Sequence, residues 1–197
     1  MNSTHENTEL TRSQKKFIES LLKYVKDCRT ILDAGCGSGW VGEALKERLS
    51  ATVTAIDLKI PYSQCNVDFA VMDANFLGFS QAFDLIIAKD IIEHLANPRK
   101  AMEQFSGALR ENGKIIITVP SPQAPFLWDD YTHVRPFTKA SLSQLLADSG
   151  FEVLFMKYQA APTPGAALLK LKGLLDYLAD KGFRKGNLFA LAKKTNL

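Results

Sequence analysis

Apolar residues recur along the chain in two ways: at the three- to four-residue spacing of helices and in the continuous runs of buried strands. The first spacing predicts helices at 11–26, 40–49, 98–113 and 138–150. The runs predict strands at 30–35, 51–58, 67–73, 83–90, 114–120, 151–158 and 186–194. Because the strands alternate with helices and are nearly continuously apolar, the pattern predicts an α/β protein, with a mostly parallel sheet covered by helices on both faces.

The composition is that of an ordinary globular domain. The chain has 197 residues, 46% hydrophobic, and its net charge of +3 is too small to indicate a nucleic-acid partner. It has no apolar run of about 18 residues and its N-terminus does not resemble a signal peptide, so we expect a cytoplasmic protein. We expect one domain over 1–197, with an N-terminal helical region at 1–28, an aromatic and proline-rich connection at 120–137 and a basic insertion at 160–186.

The first predicted strand runs into a glycine-rich segment, ILDAGCGSGWVG at 31–42. Glycine is favoured where the backbone turns tightly or passes close to a ligand. Gly37, Gly39 and Gly42 match the G-x-G-x-x-G fingerprint of dinucleotide binding. An earlier register, D-x-G-x-G-x-G beginning at Asp33, is instead typical of S-adenosylmethionine binding. The segment alone leaves both ligands open.

Acidic residues at the ends of the first four strands help to distinguish the two ligands: Asp33, Asp57, Asp73 and Asp90. The carboxyl ends of parallel strands meet at one edge of a sheet, where ligands bind. Asp57 suits the ribose of either ligand, whereas Asp33 suits the cationic amine of a methionine moiety and would repel a pyrophosphate. The pattern favours S-adenosylmethionine, keeps an NAD(P)-dependent reductase as an alternative, and leaves Gly42 as a helix-packing residue.

Five segments in order resemble the class I S-adenosylmethionine-dependent methyltransferases: LDAGCGSG, AIDL, MDA, FDLIIAKDIIEHLANP and LRENGKIIITVPSP. The resemblance covers residues 29–156, and GNLFALAKK is similar to the antiparallel last strand of that fold. WDDYTHVRPFT resembles a subgroup that acts on small molecules and glycans. The family implies a Rossmann-like, seven-stranded sheet, S-adenosyl-L-methionine as cofactor and S-adenosyl-L-homocysteine as product.

The resemblance also implies roles for individual residues. Asp33 would lie near the cofactor amine, Asp57 would accept the ribose hydroxyls, and Leu58 would pack on the adenine. The other implied cofactor residues fall into three groups: Gly35, Cys36, Gly37 and Gly39 under the cofactor, Asp73 and Ala74 at the adenine edge, and Lys89 and Asp90 beside the sulfonium. Asp90 is also a catalytic candidate.

Methyl transfer requires alignment, and a general base helps where the nucleophile must lose a proton. His133 is the first candidate base, because its long connection should fold over the site. Alternatively, His133 and Arg135 anchor that connection on Asp129 or Asp130. His94 is the second candidate, although a structural hydrogen bond is the favoured interpretation for it.

Three aromatic residues of the connection, Trp128, Tyr131 and Phe137, either wall the acceptor site or cover the sheet edge. We expect no metal, because histidines and cysteines do not occur as pairs at ligand spacing. An odd number of cysteines without a C-x-x-C motif predicts reduced packing residues at Cys28, Cys36 and Cys65.

The last fifth of the chain is basic, with eight Lys or Arg against two Asp after residue 156. An apolar helical face with basic flanks is predicted there, formed by Leu168, Leu171, Leu175 and Leu178. We interpret this segment first as packed on its own domain. Contact with the inner face of a membrane through 162–185 is the second interpretation and homodimer formation the third.

The function expected from these features is methyl transfer to a hydroxyl, less often to a nitrogen or carbon, of a small molecule, a glycan or a lipid-linked intermediate. A noncatalytic S-adenosylmethionine-binding interaction module is the alternative from another class. The full set of strand-end aspartates favours a working cofactor pocket.

Overall fold

The computed structural model describes residues 9–60, 66–160, 174–175, 177–178 and 185–195. The main helices are α1 (Arg12–Val25), α2 (Trp40–Leu49), α3 (Pro98–Ala108) and α4 (Lys139–Asp148). The strands are β1 (Thr30–Ala34), β2 (Thr52–Asp57), β3 (Asp68–Val71), β4 (Phe83–Lys89), β5 (Leu109–Pro120), β6 (Phe151–Ala160) and β7 (Lys185–Lys194). A 3₁₀ turn, Ile92–His94, follows β4.

The strands form one seven-stranded sheet in the order β3-β2-β1-β4-β5-β7-β6. β7 runs antiparallel to both of its neighbours, whereas the pairs from β3 to β5 are parallel. The strand order reverses between β1 and β4, which opens a crevice beyond their carboxyl ends. The predicted fold, a Rossmann-like mostly parallel sheet with an antiparallel last strand, is confirmed.

Helices cover both faces of this sheet, and its central strands carry apolar side chains on both faces. Ile31 and Leu85 belong to the apolar cluster that includes α1 and α2. Leu32 and Ile86, one position further along their strands, belong to the opposite cluster with α3 and α4. Successive side chains of a strand point to opposite faces, so two buried faces produce the continuous apolar runs of the sequence.

The predicted boundary between the third helix and the fifth strand is wrong. Helix α3 ends at Ala108, five residues before the predicted end at Gly113, and β5 begins at once. Leu109 already pairs with β4, and Arg110 Nη1 donates to Asp84 Oδ1 at 2.9 Å. Residues 109–113 continue the helical pattern of the sequence, but these tertiary contacts outweigh their helix propensity.

The basic insertion falls largely outside the described residues. Of its predicted apolar face, Leu168 and Leu171 lie outside them, while Leu175 and Leu178 are partly buried. Cys65 also lies outside the described ranges, and Cys28 and Cys36 are buried thiols. Among the described residues, no helix is long and apolar enough to cross a membrane.

Candidate functional site

A cavity of about 350 Å³ lies at the carboxyl ends of β1 to β4. Its lining includes eight of the predicted site residues: Gly35, Gly37, Asp57, Leu58, Asp73, Ala74, Asp90 and His94. Four apolar residues complete the lining: Ile56, Met72, Ile91 and Leu95. Sequence reasoning missed these four, although each lies within two residues of a predicted one.

The glycine loop is held on the end of β2. The N–H groups of Gly35 and Cys36 donate to the Ile56 carbonyl at 2.9 and 3.0 Å. The Gly37 N–H donates to Asp57 Oδ2 at 2.9 Å. The residue implied to bind the ribose therefore also fixes the loop that would pass beneath the cofactor.

Two glycines need bare backbone because of their neighbours in the protein. Gly35 has a φ of +68°, and a Cβ there would lie 2.7 Å from Ile91 Cδ1. A Cβ on Gly42 would lie 3.1 Å from Val53 Cγ1, a tight contact that supports the interpretation of Gly42 as a helix-packing residue. The last glycine of the G-x-G-x-x-G match is thus explained by the packing of α2 on the sheet.

Asp33 lies beneath the loop rather than in the cavity lining. Its side chain is 1% exposed, and Oδ2 accepts the Gly42 N–H at 3.0 Å. Burial raises the pKa of Asp33 to about 7, although this hydrogen bond and the charge of Lys89 oppose the shift. The carboxylate therefore fixes the start of α2 on β1, and its proximity to a cofactor amine stays a prediction.

Three more predicted cofactor residues lie outside the cavity lining. Cys36 is buried, and Gly39, with a φ of 80°, is the N-cap of α2. Lys89 pairs its ammonium group with the carboxylate of Asp90 and lies 5.9 Å from the ring centre of Phe17 on α1. Lys89 thus acts on the cavity through Asp90.

Asp90 is held in a left-handed backbone conformation, with a φ of 51°, at the rim of the cavity. Its N–H donates to the Thr118 carbonyl at 2.8 Å, and the Thr118 hydroxyl donates to Asp90 Oδ1 at 2.8 Å. Asn187 Nδ2 donates to the same oxygen at 3.2 Å. Such strained backbone persists where surrounding contacts fix it, as they do here from β5 and β7.

His94 and His133 meet at the mouth of the cavity, with ring centres 4.6 Å apart. His94 Nδ1 lies 2.8 Å from Thr132 Oγ1. His133 Nδ1 lies 2.5 Å from the carbonyl oxygen of Leu127. The two candidate bases thus lie together, and among the described residues each makes its hydrogen bond through Nδ1 and none through Nε2.

Glu93 is the most unusual residue near the site, and sequence reasoning missed it. Its side chain is fully buried, and neither carboxylate oxygen has a hydrogen-bond partner among the described residues. Burial, followed by the charge of Asp90, raises the pKa of Glu93 to about 8. The available signal was an acidic residue interrupting the apolar turn IIEHL.

The connection is anchored on the turn after β4, but not through the predicted aspartates. Arg135 Nη2 donates to the Ala96 carbonyl at 2.9 Å, whereas the His133 side chain contacts the Leu127 carbonyl within the connection itself. The partners of these two side chains are therefore main-chain carbonyls and not the side chains of Asp129 and Asp130.

The three aromatic residues of the connection separate into two groups. Phe137 is 5% exposed within the apolar core and therefore does not wall an acceptor site. Trp128 and Tyr131 are 67% and 96% exposed, so their aromatic faces are open to solvent.

Comparison with known proteins identifies the class. The profile of the methyltransferase domain family matches residues 6–154, and the chain belongs to this family. The resemblance to class I S-adenosylmethionine-dependent methyltransferases is confirmed, and the small-molecule and glycan subgroup stays a prediction.

Individual relatives methylate different acceptors. The chain is 27% identical over 154 residues to phosphoethanolamine N-methyltransferase 1 of Arabidopsis thaliana, covering 70% of this chain and 31% of that protein. It is 26% identical over 113 residues to the ubiquinone biosynthesis O-methyltransferase of Coxiella burnetii, covering 49% of this chain and 48% of that protein. It thus spans about a third to a half of the length of these curated relatives.

A solved structure shows the same fold. The 1,6-didemethyltoxoflavin-N1-methyltransferase of Burkholderia thailandensis, with S-adenosylhomocysteine bound, matches with a TM-score of 0.69 at 20% identity. The match covers 92% of this chain and 78% of that one.

Proposed function

We propose that this chain transfers the methyl group of S-adenosylmethionine to a hydroxyl group of a small molecule, a glycan or a lipid-linked intermediate. The observation that carries the proposal is the single cavity in which the glycine loop, Asp57, Asp73 and Asp90 meet. Membership of the methyltransferase domain family supports the reaction type.

The charge of the cavity favours this cofactor over a dinucleotide. Asp57, Asp73 and Asp90 are the charged residues of its described lining, which contains no lysine or arginine. Carboxylates stabilise the sulfonium and ammonium groups of S-adenosylmethionine and repel a pyrophosphate. Leu58, 66% exposed at the rim, offers an apolar surface to the adenine.

The two histidines fit an oxygen acceptor, which must lose a proton. The acceptor oxygen attacks the methyl carbon in line with the carbon–sulfur bond, and the electron pair of that bond leaves to sulfur, giving the neutral thioether. In neutral His94 or His133 with the proton on Nδ1, Nε2 can accept the hydroxyl proton. The protein's other contribution is to align the reactants and exclude water.

Methyl transfer from tritium-labelled S-adenosylmethionine tests the proposal. The acceptor panel should contain phenols, polyols, lipid-linked sugars, amines and carboxylic acids. We expect turnover with one hydroxyl class and a rate reduced about 10²- to 10⁴-fold in a His94→Ala/His133→Ala double variant. Binding of S-adenosylhomocysteine without turnover on any class would instead identify a noncatalytic cofactor-binding module.

A further inference from the structure

We propose that Glu93, His94 and His133 form a binding site for a divalent first-row transition-metal ion, such as Zn²⁺ or Mn²⁺, at the mouth of the cofactor cavity. One ligating atom from each residue lies within 4.8 Å of the other two. Metal–ligand bonds of about 2.0–2.2 Å place two ligands at most about 4.4 Å apart, so small side-chain rotations close the set. Two imidazoles with one carboxylate suit such ions.

The proton on His94 is fixed by its neighbours. The Thr132 hydroxyl donates its proton to Asp130 Oδ1 at 2.6 Å. It therefore has no proton for His94, and His94 Nδ1–H must be the donor in the 2.8 Å contact with Thr132 Oγ1. In neutral His94 this leaves the lone pair on Nε2, where a metal would bind.

His133 is oriented in the same way by a different partner. The Leu127 carbonyl oxygen can only accept a hydrogen bond, so His133 Nδ1 carries the proton. In their neutral forms, both imidazoles thus donate Nδ1–H to oxygen and present the Nε2 lone pair. Metal-binding histidines typically have this arrangement, because the outer hydrogen bond fixes the tautomer and the ring orientation.

Glu93 provides an independent observation that points to a cation. A fully buried carboxyl group without hydrogen bonds is costly in a folded protein, and a bound divalent ion would give its oxygens the partner they lack. The Val134 N–H donates to the Glu93 carbonyl at 3.0 Å, which holds the connection carrying His133 against the turn carrying Glu93 and His94. The three ligands therefore come from two segments that are already bound together.

The position of the ion suggests what it would do, and this role rests on the proposed function, whereas metal binding itself does not. His94 lines the cavity, so an ion there would face the acceptor. With three protein ligands it keeps open positions, and an acceptor hydroxyl bound at one would lose its proton to water more readily. Glu93, His94 and His133 would hold the ion, and the ion would supply Lewis-acid activation of the acceptor oxygen. With both Nε2 atoms on the ion, the hydroxyl proton would pass to water instead of to a histidine.

Metal titration of the whole chain, stripped with a chelator, tests the site. We expect one equivalent of Zn²⁺ by calorimetry and one equivalent of Co²⁺ by its visible absorption. Glu93→Gln and His133→Asn should each weaken binding by more than about 100-fold, beyond the 10- to 100-fold typical of outer-shell changes. His5→Ala is the matched control, since His5 is the remaining histidine of the chain, and should bind as the wild type does.

Three outcomes would overturn the site: the wild type binds neither ion, the Glu93 and His133 variants bind as tightly as the wild type, or His5→Ala alone loses binding. Thermal melting and S-adenosylhomocysteine affinity show whether each variant is folded. The metal site and the proposed function can fail separately. If the wild type binds no metal but the His133 variant loses methyl transfer, the histidines act only as proton acceptors; the metal site is then wrong and the proposed function stands. If the wild type binds one metal ion but transfers no methyl group, the metal site stands and the proposed function is wrong.

Discussion

Asp33 shows how one buried carboxyl group can make folding depend on pH. The folded chain keeps the Asp33 proton up to a pKa of about 7, whereas an unfolded aspartate releases it at about 3.8. Between these values the folded state binds more protons than the unfolded state, so stability falls as pH rises. At 1.36 kcal/mol per pKa unit, the effect reaches about 4 kcal/mol.

We therefore predict that Asp33→Asn removes the loss of folding stability with rising pH. Asparagine is nearly the same size, keeps an oxygen for the Gly42 N–H, and carries no charge to bury. The free energy of unfolding, measured with urea from about pH 4 to about pH 7, should decline more steeply in the wild type than in the variant. Parallel curves for the two proteins would show that Asp33 does not cause the dependence.

Asp57 is predicted to be the main polar contact of the cofactor ribose. Asp57→Ala removes a charge-assisted acceptor and the anchor of Gly37, and should weaken S-adenosylhomocysteine binding by about 1–3 kcal/mol in calorimetry. Asp68→Ala is the control, because Asp68 is exposed at the opposite end of a parallel strand. Unchanged affinity in Asp57→Ala would show that the ribose binds elsewhere.

Residue patterns predicted part of this site and missed another part for a physical reason. Asp57, Asp73 and Asp90 end apolar runs, and the geometry of parallel strands brings such ends together. Thr118 and Asn187 hold Asp90 from β5 and β7, and only the folded sheet shows that they meet. A local pattern does not report partners that lie far apart in the chain.

At the scale of elements, the glycine loop combines backbone strain with crowding, and two variants separate them. Gly35 and Gly37 both have positive φ, but a Cβ on Gly35 meets Ile91 at 2.7 Å whereas one on Gly37 meets nothing within 4 Å. We predict that Gly37→Ala costs about 1 kcal/mol of stability from strain alone, and that Gly35→Ala costs a further 1–3 kcal/mol, roughly, from crowding.

Chemical denaturation of both variants measures these costs. In a Gly35→Ala/Ile91→Ala double variant, the crowding part should largely disappear, since the obstructing side chain is gone. Equal stability of the two single variants would contradict the proposed close approach of Ile91 to the loop.

The elements themselves were predicted well where periodicity is strong. Helix α2 has the predicted bounds, and α4 begins at Lys139, one residue after the predicted start, with Thr138 as its N-cap. The helix expected to reach Gly113 ends earlier because Arg110 and Leu109 bind to the neighbouring strand. Helical pattern and helix propensity cannot register such a tertiary contact.

At the scale of the whole molecule, the sheet order follows from alternating strands and helices with buried strands, which leave few possible topologies. The reversal of strand order at β1 and β4 then places the site. Membrane contact through 162–185 remains a prediction, because that segment lies almost entirely outside the described residues. A cytoplasmic location and a homodimer also remain predictions.

The central claim is that the cavity at this reversal binds S-adenosylmethionine rather than a dinucleotide. Titration calorimetry of the intact chain with S-adenosylhomocysteine and with NADH tests it most directly. We predict one S-adenosylhomocysteine per chain and no heat of binding for NADH, because three carboxylates line the cavity. Binding of NADH without binding of S-adenosylhomocysteine would contradict the account.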